Sequence, residues 1–239
     1  MYAISQIVYK MELISDIHLE YDPTYRINRI GEILIIAGDL GKVTNKSYYT
    51  FLADVSDRYD HIILVAGNHE YYGTTIENGE RLIREMMAKL PNVHYLQCGK
   101  VVINEIEFLG CTLWSEPTVD HWLTNDGSSI KDFSLKHYQD LHTQHRDWLT
   151  GQLNIPSTRK RIVVTHYLPS YRCIDPKYTD EDTNSFFASH LDDLVPKANL
   201  WLCGHTHSDN AIQINGTFVF INPKGYPGEN DREYYPLEI

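Results

Sequence analysis

A chain of 239 residues, 42% apolar and 22% charged, can bury a sizeable core and is long enough for one large domain or two small ones. Its formal charge of −11 works against a broad phosphate-backbone interface, so extended duplex nucleic acid is not an expected partner, although small anionic substrates are not excluded. No apolar run approaches the ~18 residues that span a bilayer, and no cationic flank precedes an apolar stretch at the N-terminus, so the expectation is a cytoplasmic protein without membrane association.

Residues 1–10 read as a short extended lead-in to the first buried strand, residues 12–15, which ends in Asp16-Ile17-His18. A second apolar run, 33–37, stops at Gly38-Asp39, and a third, 62–66, stops at Gly67-Asn68-His69-Glu70. Between them the spacing of Tyr48, Phe51, Leu52, Val55 and Tyr59 predicts a helix. Thr74-Thr75-Ile76-Glu77 offers a capping-box start for a second helix, which Pro91 ends. Continuous β-branched and Leu runs alternating with helices predict parallel strands buried on both faces.

After Pro91, strands are expected over 93–96, 101–103 and 106–113, and their short links favour antiparallel neighbours. Residues 115–136 read as a long polar loop of the kind that often carries function. Helices are expected over 140–153 and 185–195, flanking a strand at 161–165 that ends in His166. The run 200–203 precedes Gly204-His205-Thr206-His207, and Asn215-Gly216 between two apolar runs is the strongest hairpin signal in the chain. With no repeat, low-complexity tract or linker, residues 1–239 read as one domain. The four widely spaced cysteines, Cys98, Cys111, Cys173 and Cys203, read as free thiols.

Five strand-like runs thus end in candidate ligands: Asp16 and His18, Asp39, Asn68, His166, then His205 and His207. Singly, Asp16 or Asp39 would serve equally well as a helix cap and His166 as a buried histidine. In an open parallel sheet, however, groups gather outside the carboxyl ends of the strands, so these residues are expected to converge on one site. Two carboxylates, one amide and four imidazoles form a mixed N/O donor set suited to Mn, Fe, Co, Ni or Zn. Seven ligands are too many for one such ion and about right for two that share a carboxylate. His142 and His145 match no motif and read as a solvated helix face.

The blocks D-x-H, G-D, G-N-H-E, H and G-H-x-H, in this order, resemble the calcineurin-like metallophosphoesterase superfamily, over roughly residues 11–225 and most closely its compact bacterial and phage members. The resemblance implies an α/β fold, the four-layer α/β/β/α sandwich of that superfamily. It implies two divalent metal ions, with Mn favoured: Asp16, His18 and His207 on the first, Asn68, His166 and His205 on the second, and Asp39 bridging. The reaction implied is phosphoester hydrolysis by attack of a metal-bridging hydroxide. His69 would be the catalytic residue that protonates the leaving oxygen or stabilises charge.

Departures from the family patterns point to the substrate. The second block, Gly38-Asp39-Leu40-Gly41-Lys42-Val43-Thr44, lacks the arginine with which the family's protein phosphatases grip a monoester dianion. No segment comparable to the capping domain of its repair nucleases follows the last block. A small phosphodiester is therefore favoured, a nucleotide among the candidates, with a phosphomonoesterase, a protein phosphatase or a nuclease as the alternatives and a non-catalytic scaffold behind them. By position alone, Tyr72, Asn125, Asp126 and Arg172 are candidate substrate contacts, with Lys131 and Tyr171 beside them.

Overall fold

The computed structural model describes residues 10–178, 180–229 and 237–238, so the lead-in expected over residues 1–10 lies, apart from Lys10, outside the described residues. Strands β1 (Met11–Ile14), β2 (Ile33–Ala37), β3 (His61–Val65) and β4 (Val93–Tyr95) form one sheet, all parallel in register. A second sheet has the order β5-β6-β7-β8-β10-β9, from β5 (Gly99–Ile103), β6 (Ile106–Cys111), β7 (Lys160–Thr165), β8 (Leu200–Cys203), β9 (Asn210–Ile214) and β10 (Thr217–Ile221). Its middle strands β6, β7, β8 and β10 are parallel, and the hairpins β5–β6 and β9–β10 close its edges. A short strand β11 (Leu237–Glu238) pairs antiparallel with β1.

Alternation along the strands assigns each face a partner. Leu13, Ile33, Ile35, Ile63 and Val65 of the first sheet share one apolar cluster with Phe108, Ile162, Val164 and Leu202 of the second, so the sheets pack face to face. Intervening residues such as Ile14, Leu34, Ile36, Ile62 and Leu64 cluster instead with Phe51, Leu52 and Val55 of α1 (Lys46–Ser56) and Ile83 of α2 (Ile76–Met87). Val163, Trp201 and Val219 of the second sheet belong to a cluster that includes Tyr138, Leu149 and Leu153, which lie on α4, the long helix described below. The outcome is helices, sheet, sheet, helix. Each fully buried Leu or Ile contributes about 1.5–3 kcal/mol, and this core holds the strand ends in place.

Where the structure departs from sequence expectation, the backbone has found other partners. The strand at 93–95 is not an antiparallel neighbour of β5; it extends the first sheet, parallel to β3, while only β5–β6 forms the expected antiparallel pair. Within the loop 115–136 lies a one-turn helix, α3 (Asp126–Ser129), and α4 (Leu135–Asn154) begins earlier than expected because Ser134 caps it through His137 N. There is no helix over 185–195: after α5 (Glu181–Asn184), Phe187 and Ser189 exchange backbone hydrogen bonds with Leu168. The apolar spacing there imitates a helix although a strand-like bridge claims the backbone. The Asn215-Gly216 hairpin forms as expected, with φ of 48° and 96° at its two turn residues.

Candidate metal centre

The carboxyl ends of β1, β2, β3, β7 and β8 meet along one edge of the two packed sheets. Backbone hydrogen bonds tie the loops leaving them: Asp16 N donates to Gly38 O, His18 N to Asp39 O, and Gly204 N to His166 O. Asp16, His18, Asp39 and His205 all have positive φ, 51–71°. Left-handed backbone at four non-glycine positions is costly, and the surrounding pairing holds it. Gly67 allows the tightest approach, since a Cβ there would stand 2.2 Å from Asp39 Oδ1 and 2.7 Å from His166 Nε2.

Three donor groups result among the described residues, one of them, His18, Glu20 and His69, from the first sheet alone and the other two drawing on both sheets. Asp16, His18 and His207 place one ligand atom each within 4.8 Å of one another, and so do Asp39, His166 and His205. His18 Nε2 faces His207 Nε2 at 3.1 Å, and His166 Nε2 lies 3.1 Å from Asn68 Oδ1. Asp39 Oδ2 stands between the clusters, 3.9 Å from His18 Nε2 and 3.4 Å from His166 Nε2. Convergent nitrogens and carboxylate oxygens of this kind fit divalent cations: each imidazole holds an oxygen on its far side and turns the other nitrogen inward. His166 Nδ1 donates to Ala37 O, and His205 Nε2 lies beside Phe186 O. His18 Nδ1 lies beside Glu20 and His207 Nδ1 beside Glu229. Such outer partners fix tautomer and ring orientation.

Electrostatics follow from the same packing. Burial would raise the Asp39 carboxyl, but His166, His69 and His18 hold it well below the usual range. Burial alone would lower His166, yet Asp39 lifts it to about 9. His205, buried beside His166, is pushed well below its ordinary value. Behind the site, burial and Asp39 raise Glu70 to about 8, while its carboxyl accepts from the backbone N–H of Gly67, Asp39 and Leu40 and so joins the loops that carry Asp39 and Asn68.

His69 sits beside both clusters. Its Nδ1 contacts Glu20 Oε1 at 2.7 Å, and its Nε2 lies 3.1 Å from the Tyr226 hydroxyl and 4.0 Å from Asp39 Oδ2. Despite burial, Asp39 and Glu20 raise its pKa. Its own backbone N–H donates to Asp39 Oδ1.

A cavity of about 400 Å³ opens over Asp39, Asn68, His69, His205 and His207. Among the sequence-derived contact candidates, Tyr72, Asn125 and Asp126 line it; Arg172, Lys131 and Tyr171 do not. Asp126 is turned toward the protein, accepting from Asn68 Nδ2 at 2.8 Å, Tyr72 OH and Thr124 Oγ1. Arg172 donates to Gln213 O, and Tyr171 stacks on His190. His142 and His145, read from sequence as solvated, are buried: His142 Nδ1 lies 3.1 Å from Leu113 O, and His145 Nδ1 accepts from Leu113 N. Sequence reasoning missed Glu20, Glu229 and Tyr226. Glu20 follows His18 by two residues and carries no periodic signal; Tyr226 and Glu229 arrive because Asn222–Gly225 pairs with the end of β1.

The chain and its fold have counterparts among known proteins. The family model for calcineurin-like phosphoesterases matches residues 13–209. The chain belongs to that family. An uncharacterised protein of Acanthamoeba polyphaga mimivirus is 26% identical over 260 residues, covering 92% of each chain. The crystal structure of the phosphopantetheinyl hydrolase PptH from Mycobacterium tuberculosis superposes with a TM-score of 0.79 at 16% identity, covering 96% of this chain and 95% of that one. TT1561 of Thermus thermophilus is a more distant likeness, with a TM-score of 0.56 at 11% identity and coverage of 92% and 90%. At such identities the two structures establish a shared fold, the two-sheet metallophosphoesterase architecture. Among the described residues no helix is long and apolar enough to cross a membrane.

Proposed function

We propose that this calcineurin-like phosphoesterase hydrolyses a small phosphodiester with two divalent metal ions, Mn favoured, within a single domain. The observation that carries the reading is the pair of donor clusters Asp16–His18–His207 and Asp39–His166–His205, with the Asp39 carboxylate near both His18 and His166 and with His69 lining the same cavity. Asp16, His18 and His207 would hold one ion, Asn68, His166 and His205 the other, and Asp39 both. When bound, two such ions supply an activated water and neutralise phosphoryl oxygens.

The chain's own residues supply the rest. Glu20 accepts a hydrogen bond from His69 Nδ1–H, which directs His69 Nε2 and its proton at the cavity and the leaving oxygen. The Tyr226 hydroxyl, beside that nitrogen, offers a second hydrogen bond to a phosphoryl oxygen. Asp126 fixes Asn68 by accepting from its amide nitrogen, so that the amide oxygen faces His166. No arginine or lysine lines the cavity among the described residues, and a diester monoanion needs less positive charge than a monoester dianion. The name of the structural neighbour makes phosphopantetheinyl esters one substrate to include in a screen.

The decisive experiment measures kcat/KM of Mn-reconstituted protein on bis-p-nitrophenyl phosphate against p-nitrophenyl phosphate, followed by cyclic nucleotides and single-stranded and duplex DNA. Diester preference with about two ions per chain is expected. A clear monoester preference would move the protein to the phosphatases, and full activity without metal would remove the reading.

A further inference from the structure

The walls of the cavity differ sharply from its floor. Its floor carries the carboxylate and histidine donors, whereas its sides set aromatic and aliphatic groups among neutral polar ones, Thr124, Asn125, Thr183, Asn184 and Thr206. Tyr72 stacks on His69 with ring centroids 4.1 Å apart, Phe187 stacks on His205 at 4.6 Å, and Tyr226 meets His207 edge-on at 4.6 Å. Ile174, which is buried, and Leu123 and Tyr178, which are exposed, add to the apolar lining. Leu123 and Tyr178 are 40% and 54% exposed, among the few large apolar side chains open to water among the described residues, and both line this cavity.

Charge is distributed the other way. Among the described residues the charged lining groups other than histidine are Asp39, Asp126 and Glu229, all acidic. Asp126 is occupied by three donors, and Glu229 by His207 Nδ1 and Tyr226 N. The ammonium that flanks the mouth, on Lys177, is paired with Asp175 at 3.0 Å and stands over the Tyr178 ring outside the lining. A second phosphate or carboxylate carried into this space would lose water without finding a cation, which makes burial of the extra charge unfavourable. An uncharged chain or ring would cover apolar surface already exposed and gain from it.

Resting on the phosphodiesterase reading above, we propose that the cavity selects esters with one phosphoryl charge and an uncharged, largely apolar substituent, held between Tyr72, Phe187, Ile174, Leu123 and Tyr178. Among the described residues the same walls offer no cation to the further phosphates of nucleoside di- and triphosphates or polynucleotides, which are therefore disfavoured.

The test uses two esters with the same leaving group: p-nitrophenyl hexyl phosphate and its analogue whose chain ends in a carboxylate. With Mn-loaded protein the neutral ester is expected to have a kcat/KM about tenfold higher or more. Leu123→Lys, at an exposed position that tolerates a charge, should narrow that ratio several-fold by favouring the carboxylate. Equal or reversed preference in the unmodified protein overturns the inference while leaving a phosphodiesterase. Calorimetry with hexylphosphonate and its ω-carboxylate, both with Mn, separates binding from turnover. If neither ester is cleaved but hexylphosphonate binds about tenfold tighter, the proposed activity falls and the pocket's selectivity stands. Equal binding of the two phosphonates removes the selectivity whatever the activity.

Discussion

The two sheets bring different chemistry to one edge. The first delivers both carboxylates, the amide of Asn68, His18 and His69; the second delivers only imidazoles, His166, His205 and His207. Two of the three donor clusters draw on both sheets, since Asp16 and His18 meet His207 and Asp39 meets His166 and His205, while His18, Glu20 and His69 belong to the first sheet alone. The supports differ as well. Behind the first sheet's candidate ligands stand the carboxyls of Glu20 and Glu70, whereas His205 of the second rests on Phe186 O and between the rings of Tyr167 and Phe187. Those two clusters lie where the sheets meet, and a cation bound there would add to the apolar contacts and to the hydrogen bonds, such as His205 N to Asp16 and His166 Nδ1 to Ala37 O, that already join the sheets.

Asp39 breaks the comparison most severely, because it is the carboxylate between the clusters. Asp39→Asn keeps the shape and removes the charge, so both ions should be lost from metal analysis. Turnover should fall by more than the 10–100-fold typical of a residue behind a ligand. His205→Ala, on the second sheet, should cost chiefly one ion, and equal loss of both would contradict the division into two clusters. His69→Ala is the next largest effect: metal content is retained and kcat falls by about 10²–10⁴ if His69 gives the leaving-group proton. Glu20 acts through it. Gln keeps an oxygen that can accept the Nδ1 proton, so Glu20→Gln should retain more activity than Glu20→Ala, and the difference should be greatest for poor leaving groups.

The first sheet was far more legible in the sequence than the surroundings of the second. Apolar runs that stop at Asp16, Gly38-Asp39 and Gly67-Asn68 announce buried parallel strands whose ends carry polar groups, and β1, β2 and β3 are those strands. His166 and His205 follow the same rule on the second sheet. What could not be read depends on long-range pairing. Tyr226 reaches His69 through the bridge between Ser15 and Pro223, which no local pattern encodes. His142 and His145 share a helix face by spacing, but spacing does not say whether that face meets water or the turn at Leu113. The apolar residues at 186–194 imitate a helix because their period is right while their backbone is committed to Leu168 and Pro169.

Metal removal sharpens the comparison at smaller energy. At 100 times its Kd a bound ion stabilises the folded state by about 2.7 kcal/mol, so the melting temperature should rise with Mn concentration. The pH dependence should have opposite signs with and without metal. His166, raised to about 9 from an ordinary 6.5, contributes stability to the metal-free protein that is full below pH 6.5 and lost as pH rises through 9. A ligand imidazole must lose that proton, so Mn affinity should increase over the same interval with proton release. Melting curves at pH 6.5 and 9, with and without Mn, and calorimetry in buffers of different ionisation enthalpy measure both.

The smallest effect expected lies behind the second sheet, at a histidine with no ligand role. His145, on α4, accepts the backbone N–H of Leu113, where the chain leaves β6 through two residues of positive φ, Leu113 at 75° and Trp114 at 54°. Burial, with His142 adding to it, lowers His145 to about 3, so the folded protein keeps it neutral while the unfolded chain protonates it near 6.5. Its contribution is therefore complete above pH 6.5 and is lost as pH falls from 6.5 toward 3. His145→Ala leaves a buried N–H without its acceptor and should cost about 1–3 kcal/mol at pH 7. His145→Gln offers an amide oxygen in its place but cannot titrate, so it should recover part of that loss at pH 7 and flatten the decline in stability toward pH 5. Metal content should be unchanged in both variants. Denaturant melts at pH 5 and 7 with Mn analysis decide the matter: an acid limb as steep in His145→Gln as in the unmodified protein would place the titrating group elsewhere, and loss of an ion would make α4 part of the site's support.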